Sequence, residues 1–331
     1  MPRRALVTYL VLVGLALAIG AGALLVGQGS LRDPALKATL LDLRATRAMA
    51  AFLAGAALAV GGAVVQGLFR NPLASPDILG TSGGALLVGK AAMLGFAAVP
   101  ALRHLPYVGP HMVLPLGCLL GAWAAMLVLL AFVRQRSDNV TLLLTGFILS
   151  SLFLSLASFV TSIAQDSWDL ARAVLNFSLG GVAGASRRQI LLAAPLVLAG
   201  LVAAWGWGRN LDLLLSGEEE AAALGVDIGA TRRWLTVWVA VLTGAAVSIG
   251  GNVIFVGLIV PHALRRLVGV QHRRLVPAAA LGGGALVLAC DILARVIPTQ
   301  SEVPLGVITG MLGAPVFLVL LSRSRRELAH G

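Results

Sequence analysis

The sequence predicts an all-α membrane protein with about ten transmembrane helices, and three observations support this fold class. Apolar residues make up 58% of the 331 residues and charged residues only 12%, whereas an average soluble protein carries about 25% charge. Apolar runs of about 20 residues, enough to cross a bilayer, recur along the chain, and the mean hydropathy is +0.93. One part of the chain also repeats another. This composition excludes a cytosolic enzyme and a secreted disulfide scaffold.

Apolar segments separated by polar, proline and glycine clusters divide the chain into ten predicted helices. The first follows Pro2-Arg3-Arg4 and is long enough to span a bilayer, so we expect it to be retained rather than removed as a signal peptide. The predicted spans cover residues 6–27, 47–67, 78–98, 111–133, 141–163, 189–208, 231–250, 253–270, 276–295 and 304–322.

An even number of helices places both termini on one side of the membrane, and the basic residues predict which side. If that side is the cytoplasm, fifteen of the 25 Lys and Arg residues lie inside, nine lie outside, and Lys90 lies within a span. The positive-inside rule therefore predicts cytoplasmic termini. The net charge of +11 then reflects orientation in the lipid bilayer, and no nucleic-acid partner is expected.

An internal repeat relates the second predicted helix to the seventh. Residues 53–73 align without a gap with residues 242–262, and the pair Gly61-Gly62 coincides with Gly250-Gly251. Since an odd number of crossings separates the two helices, the copies run in opposite directions, which is typical of transporters. We expect an inverted repeat of helices 2–5 and 7–10. Shared packing of small residues in two unrelated helices is the simpler alternative.

A stripe of hydroxyl side chains follows one face of the fifth predicted helix, because its members recur at steps of three and four residues. Such hydroxyls either line a water-filled path or hydrogen-bond across a close helix contact, and spacing leaves both interpretations open. The hydroxyl stripe consists of Thr141, Thr145, Ser151, Ser155, Ser158 and Ser162.

An acidic segment lies between the sixth and seventh predicted helices. Three acids followed by strong helix formers and a terminal glycine favour a short exposed helix, with its negative charges in the first turn. It is either a solvated loop helix or a docking element for a partner. Its principal residues are Gly217, Glu218, Glu219, Glu220, Ala221, Leu224 and Gly225.

Three arginines mark the outer ends of predicted helices. Arg44 and Arg47 open the second helix, and Arg295 ends the ninth, one turn after Asp291. Mutual neutralisation of Asp291 and Arg295 is one interpretation. The other is that the three guanidinium groups receive carboxylates from a soluble partner.

No catalytic, nucleotide or metal site is predicted in this chain. The stretch Gly84–Lys90 matches most of a phosphate-binding loop, but Ala91 replaces the hydroxyl that would bind magnesium, and the surroundings are apolar. Cys118 and Cys290 also lie in apolar stretches, where packing is the expected role. We assign no function to Lys90.

Several ordered motifs occur along nearly the whole chain from about residue 40. They are Arg44-Ala-Thr-Arg47, Arg70-Asn71-Pro72-Leu73-Ala74-Ser75-Pro76, Phe255-Val256-Gly257-Leu258-Ile259-Val260-Pro261-His262, Asp291-x-x-Ala-Arg295, Glu302-Val-Pro304-x-Gly306 and Gly313-Ala-Pro315-x-Phe317. In these motifs the chain resembles the permease subunits of type II ATP-binding-cassette importers for iron siderophores, haem and cobalamin. The resemblance implies a homodimer with the path between the two copies, and a periplasmic or lipid-anchored binding protein. It also implies two cytoplasmic ATP-binding-cassette ATPase subunits, which bind ATP and magnesium.

The resemblance also implies roles for individual residues. In that family helices five and ten line the path, which favours a path-lining role for the hydroxyl stripe. Arg44, Arg47 and Arg295 match positions that receive acidic residues of the binding protein, and residues 217–225 match the helix that seats in the ATPase. An outer half-helix is implied around 167–186, although this chain lacks the tryptophan usual before its glycine turn. The cytoplasmic gate matches Asn71, Leu73, Asp138, Asn139 and Val140.

The resulting prediction is one permease domain over residues 1–331, in the bacterial inner membrane. Haem or another iron chelate is the expected substrate, and a cobalamin permease is the alternative within the family. An ion-driven secondary transporter is less favoured because the predicted spans hold almost no acids. The predicted parts are 1–46 (first helix and outer loop), 47–163 (first repeat), 164–230 (half-helix, sixth helix and cytoplasmic loop), 231–322 (second repeat) and 323–331 (tail).

Overall fold

A computed structural model describes residues 3–27, 29, 32–99, 109–132, 139–297 and 302–329. Within these ranges the chain forms thirteen α-helices and no strand. They are α1 (Arg3–Leu25), α2 (Pro34–Leu68), α3 (Thr81–Ala98), α4 (Pro110–Phe132), α5 (Asn139–Ile163), α6 (Trp168–Leu179), α7 (Arg187–Gly206), α8 (Gly208–Ser216), α9 (Glu218–Ala223), α10 (Ile228–Gly250), α11 (Val256–Val268), α12 (His272–Val296) and α13 (Leu305–Ala329).

Each predicted span contains a helix, but the helices differ in length. Eight helices, α1 to α5, α7, α10 and α12, are long and apolar enough to cross a membrane. The span predicted over 253–270 corresponds to α11, which has only 13 residues and is shorter than the roughly 20 needed to cross. It starts late because Gly251 and Phe255 have positive φ angles of 63° and 67°. The apolar part of α13 within the described residues is also short, Leu305–Val319.

The second span begins earlier than the sequence predicts. Asp33 caps α2 by accepting a hydrogen bond from the Ala35 amide at 3.0 Å, and Pro34 occupies the first turn, where its fixed φ favours a helix. The predicted start at residue 47 is therefore wrong. Arg44 and Arg47 lie inside the helix, one turn apart, and not at its first turn.

Small residues let the helices approach closely, both at α2, which forms the centre of the core, and between α3 and α4. A Cβ added to Gly55 would overlap the carbonyl oxygen of Gly283 in α12, and one added to Gly84 would lie 2.5 Å from the carbonyl oxygen of Gly121. Glycine is needed at these crossings because any side chain would force the backbones apart.

Helices α2 and α10 pack in antiparallel register. A Cβ added to Gly250 would lie 3.0 Å from the Ala54 Cβ, and one added to Gly61 would lie 4.0 Å from Thr243 Oγ1. Residue numbers therefore rise along one helix as they fall along the other. The alignment of residues 53–73 with 242–262 exchanges Ala54 for Thr243 and Gly250 for Gly61, and thereby converts one contact into the other. This is the pattern expected of two halves related by a pseudo-twofold axis. The residue boundaries of the two repeats stay a prediction.

Candidate functional site

The predicted outer arginines belong to a cluster that joins three parts of the chain. The Arg47 Nε group in α2 donates to Asp291 Oδ1 in α12 at 2.8 Å, and Arg47 Nη1 lies 2.7 Å from Glu302 Oε2. Arg295 Nη2 lies 2.8 Å from Asp291 Oδ2. We call Arg47, Asp291, Arg295 and Glu302 the outer cluster. Its four charges balance, and the Asp291 side chain is only 1% exposed.

Arg44 and Arg295 also bind the carboxyl end of α1. Arg44 donates to the carbonyl oxygens of Leu24, Leu25, Gly27 and Gly29, each at 3.0 Å. Helix ends leave such carbonyls without partners and carry partial negative charge, so guanidinium groups stabilise them.

Arg295 makes the same kind of contact, with the carbonyl oxygens of Ala23 at 3.0 Å and Val26 at 2.8 Å. Arg44 is 6% exposed and the Arg295 side chain 3% exposed. Both guanidinium groups therefore act within the chain in this conformation. The docking role of the three arginines stays a prediction, and Arg47 and Glu302 are the cluster members that a partner can reach.

The hydroxyl stripe lies on an outward face of α5. Five of its six residues are exposed, and Thr145 is partly buried. Ser151, Ser155 and Ser158 donate to carbonyl oxygens one turn earlier in α5, at 2.8 to 2.9 Å. Since those three bonds stay within α5, the hydroxyls of Ser151, Ser155 and Ser158 do not join it to another helix of this chain. The lining role of the stripe stays a prediction.

The predicted gate falls partly in the segment that connects α2 to α3, residues 69–80, which we call the gate segment. Asn71 is buried, and its Oδ1 accepts from the Leu73 amide at 2.9 Å. Ser150 of α5 donates to the Asp77 carbonyl oxygen at 3.0 Å, so the segment is bonded to the helix with the hydroxyl stripe. Asp138 lies outside the described residues, as do the side chains of Asn139 and Val140, the first residues of α5.

Asp77 is a partly buried carboxylate in the gate segment. Burial raises its pKa to about 6, while hydrogen bonds from the Ser82 hydroxyl and the Phe255 amide oppose the rise. The Ser82 Oγ donates to Asp77 Oδ1 at 2.6 Å. Asp77 therefore ties the gate segment to the start of α3 and to the residue before α11. The sequence motif ends at Pro76, one residue before Asp77, and gave no sign of these partners.

The acidic segment 217–225, which we call the coupling segment, contains α9. Ala221 is buried, whereas Glu219, Glu220 and Leu224 are exposed. Glu218 instead binds Arg232 of α10 and lies 3.9 Å from Arg70 of the gate segment.

The two predicted glycines form the turns at either end of α9. Gly217 and Gly225 have φ angles of 133° and 84°. Such angles favour glycine over residues with a side chain. The structure thus brings the coupling and gate segments into contact and leaves a small acidic and apolar surface on α9.

The stretch that resembles a phosphate-binding loop is an ordinary part of α3. Residues 84–90 are helical, and Lys90 is buried. Lys90 donates to Thr161 Oγ1 at 2.9 Å and to the Ala157 carbonyl oxygen at 3.3 Å, both in α5. A helix does not offer the successive amide groups of a phosphate loop, and the role that sequence did not assign to Lys90 is a bond between α3 and α5.

Comparison with known proteins gives consistent results over nearly the whole chain. A sequence model of the FecCD transport family matches residues 5–323. The hemin transport system permease protein HmuU of Yersinia pestis is 38% identical over 289 residues, which cover 87% of this chain and 84% of HmuU. The cobalamin import system permease protein BtuC of Halobacterium salinarum is 38% identical over 279 residues, 84% of this chain and 72% of BtuC.

A solved structure shows the same architecture. It is described as an inward-facing conformation of a metal-chelate type ABC transporter, and it superposes with a TM-score of 0.81 at 28% identity. The match covers 96% of this chain and 99% of that one.

Proposed function

The chain belongs to the FecCD transport family, and on that premise we propose that it is the membrane-spanning subunit of an importer for haem or another iron chelate. The multi-pass helical fold and the hemin permease relative support this proposal. The observation that carries it is the hydroxyl stripe, which α5 presents outward on an otherwise apolar surface. Scattered hydroxyls on apolar walls suit a bulky chelate that must pass without binding tightly.

The path is proposed to form between two copies of the chain. Besides the hydroxyls, α5 exposes Phe147 and Phe159, at 64% and 65%, and α13 exposes Met311 at 72%. A second copy facing these two helices would enclose the stripe and leave a central passage. This homodimer is supported by the exposed faces and by the resemblance to dimeric importers.

Separate subunits are proposed to supply energy and substrate. Two cytoplasmic ATPase subunits, which hold ATP and magnesium, would seat on the exposed residues of the coupling segment. A binding protein would dock at the outer cluster and deliver the chelate. The chain itself would lie in the bacterial inner membrane with both termini in the cytoplasm, as the basic residues favour. Rocking of the two repeats would then open the gates alternately.

Uptake by the reconstituted complex tests this function. The chain is purified with its ATPase subunits, placed in liposomes, and supplied with binding protein loaded with ⁵⁵Fe-haem or with radiolabelled cobalamin. In liposomes whose ATPase subunits face the interior, we expect haem uptake to require ATP inside. Uptake should persist when ionophores collapse ion gradients. Cobalamin uptake without haem uptake would assign the chain to the second substrate class, which the similarity to BtuC favours. Uptake driven by an ion gradient without ATP would contradict the proposal.

A further inference from the structure

A buried histidine connects the helix before the coupling segment to α12. Asp212 of α8 accepts two hydrogen bonds through one oxygen, from the His272 amide at 2.8 Å and from His272 Nδ1 at 2.7 Å. Because a carboxylate oxygen only accepts, Nδ1 carries the proton in this pair. The His272 side chain is 0% exposed and that of Asp212 is 28% exposed. Asp212 therefore fixes both the first turn of α12 and the orientation of the imidazole.

The other edge of the imidazole lies against the end of α2. A Cβ added to Gly67 would overlap His272 Nε2, so no side chain can stand between the ring and the helix backbone. Within the described residues Nε2 has no hydrogen-bond partner. The ring thus makes its contact with α2 by packing alone, and it can follow a movement of α8 without breaking a bond on that side.

The gate segment begins at this same turn of α2. The Arg70 amide donates to the Gly67 carbonyl oxygen at 3.2 Å, and the Asn71 amide donates to the Gln66 carbonyl oxygen at 3.0 Å. A displacement of Gly67 therefore moves the first residues of the gate segment directly. Asn71 is the predicted gate residue nearest to this turn.

Helix α8 is placed to transmit such a displacement from the coupling segment. Only Gly217 separates α8 from α9. The face of α8 towards the core carries Leu211, which is 0% exposed and approaches Gly67 beside the imidazole. Asn210 Nδ2 also donates to Thr231 Oγ1 of α10 at 3.2 Å, so α8 bridges two helices of the core.

We propose that the Asp212–His272 pair is a positioning element that passes movement of the coupling segment to the gate segment through Gly67. This inference rests on the proposed function, since it assumes that an ATPase moves the coupling segment. The alternative is that Asp212 only caps α12 and stabilises the fold. The two accounts differ in whether removing the carboxylate uncouples transport from ATP hydrolysis.

The test compares Asp212→Ala with a matched control, Asp227→Ala. Asp227 caps α10 in a similar way, since its carboxylate accepts from the Ala230 amide at 2.8 Å. Within the described residues that carboxylate makes no hydrogen bond to α8 or α12, so its removal spares the pair under test. Each variant is purified with the ATPase subunits, and ATP hydrolysis and substrate uptake are measured in the same liposomes. We expect Asp212→Ala to retain ATP hydrolysis. Its uptake per ATP should fall about tenfold, which is the factor that corresponds to the loss of one hydrogen bond to a charged group. Asp227→Ala should keep the uptake per ATP of the unaltered chain.

A second variant keeps the inference testable if Asp212→Ala fails to fold. Asp212→Asn keeps an oxygen that accepts from the His272 amide, so it should assemble normally and show an intermediate uptake per ATP. A spin label on a cysteine placed at the exposed Pro72 should report nucleotide-dependent motion in the unaltered chain and reduced motion in Asp212→Asn. Equal uptake per ATP in both Asp212 variants and the unaltered chain would overturn the inference. Failure of the unaltered chain to import with ATP would overturn the proposed function itself.

Discussion

Arg47 of α2 and Asp291 of α12 form a 2.8 Å ion pair although 244 residues separate them in the chain. The pair joins the outer ends of two closely packed helices of the core. Through Arg295, which binds both Asp291 and the end of α1, it also holds the first helix in place. Arginines that the resemblance assigns to partner binding therefore also stabilise the fold.

Removing the central carboxylate should destabilise the fold strongly. Asp291→Asn would leave Arg47 and the buried Arg295 without their shared negative partner, and breaking a buried pair costs about 3–5 kcal/mol. Thermal unfolding in detergent should show this loss. Asp42→Asn is the matched control, because Asp42 pairs with Arg187 at 3.8 Å on an exposed surface, where a pair contributes about 0–1 kcal/mol. Equal losses in the two variants would contradict the assignment.

Arg44 and Arg47 should separate structure from docking. Arg44→Gln removes the hydrogen bonds that cap α1, so it should lower the free energy of unfolding by about 1.5–3 kcal/mol and leave docking intact. Arg47→Gln should lower stability as well, because Arg47 pairs with the buried Asp291. It should in addition weaken capture of the loaded binding protein at low salt, because Arg47 is the more exposed guanidinium. Pull-down and thermal unfolding measure the two effects. Weaker capture by Arg44→Gln with unchanged stability would favour joint docking by all three arginines.

The exposed surface of the coupling segment should determine assembly with the ATPase subunits. Leu224 is 66% exposed, so Leu224→Asp should leave the unfolding temperature unchanged while reducing the amount of ATPase that copurifies. Leu224→Met is the control, since it keeps an apolar side chain of similar volume. If Leu224→Asp copurifies with the ATPase normally and supports ATP-dependent uptake, the coupling segment does not form the ATPase contact.

Bulk on the hydroxyl stripe should obstruct transport without unfolding the chain. We expect Ser155→Phe to reduce substrate uptake while ATP hydrolysis continues, because Ser155 is exposed on the proposed path. The control is Thr8→Phe in α1, where an exposed hydroxyl also donates to a carbonyl one turn earlier, that of Arg4 at 2.9 Å. A lipid-facing stripe would tolerate both changes equally, and that result would place the path elsewhere.

Stability should fall as pH rises through the titration of Asp77. The ordinary pKa of 3.8 is raised to about 6 in the fold, so the native state binds more protons than the unfolded state between these values. The free energy of unfolding therefore decreases from about pH 4 to pH 6, by about 2 kcal/mol at most. Asp77→Asn should flatten this part of the curve of unfolding temperature against pH. An unchanged slope would show that Asp77 is ionised throughout.

Much of the fold follows from local sequence patterns. Long apolar runs determine where helices cross, since a bilayer satisfies no backbone polar group and so requires helices of sufficient length. The acids and glycines of residues 217–225 likewise specify α9, because capping and helix dipole effects act within one turn. The late start of α11 was missed because two positive φ angles, one at a phenylalanine, interrupt a continuous apolar run.

The functional residues likewise divide into those specified by local sequence patterns and those specified by tertiary contacts. Sequence by itself determined that the chain spans a membrane, which side its termini are expected to occupy, and where its acidic helix and hydroxyl stripe lie, since each depends on neighbours within one or two turns. Only the tertiary structure decided that Arg44 and Arg295 are buried and that Asp212 meets His272, 60 positions away. Those contacts join separate helices, and their geometry depends on how closely the glycine crossings let the backbones approach.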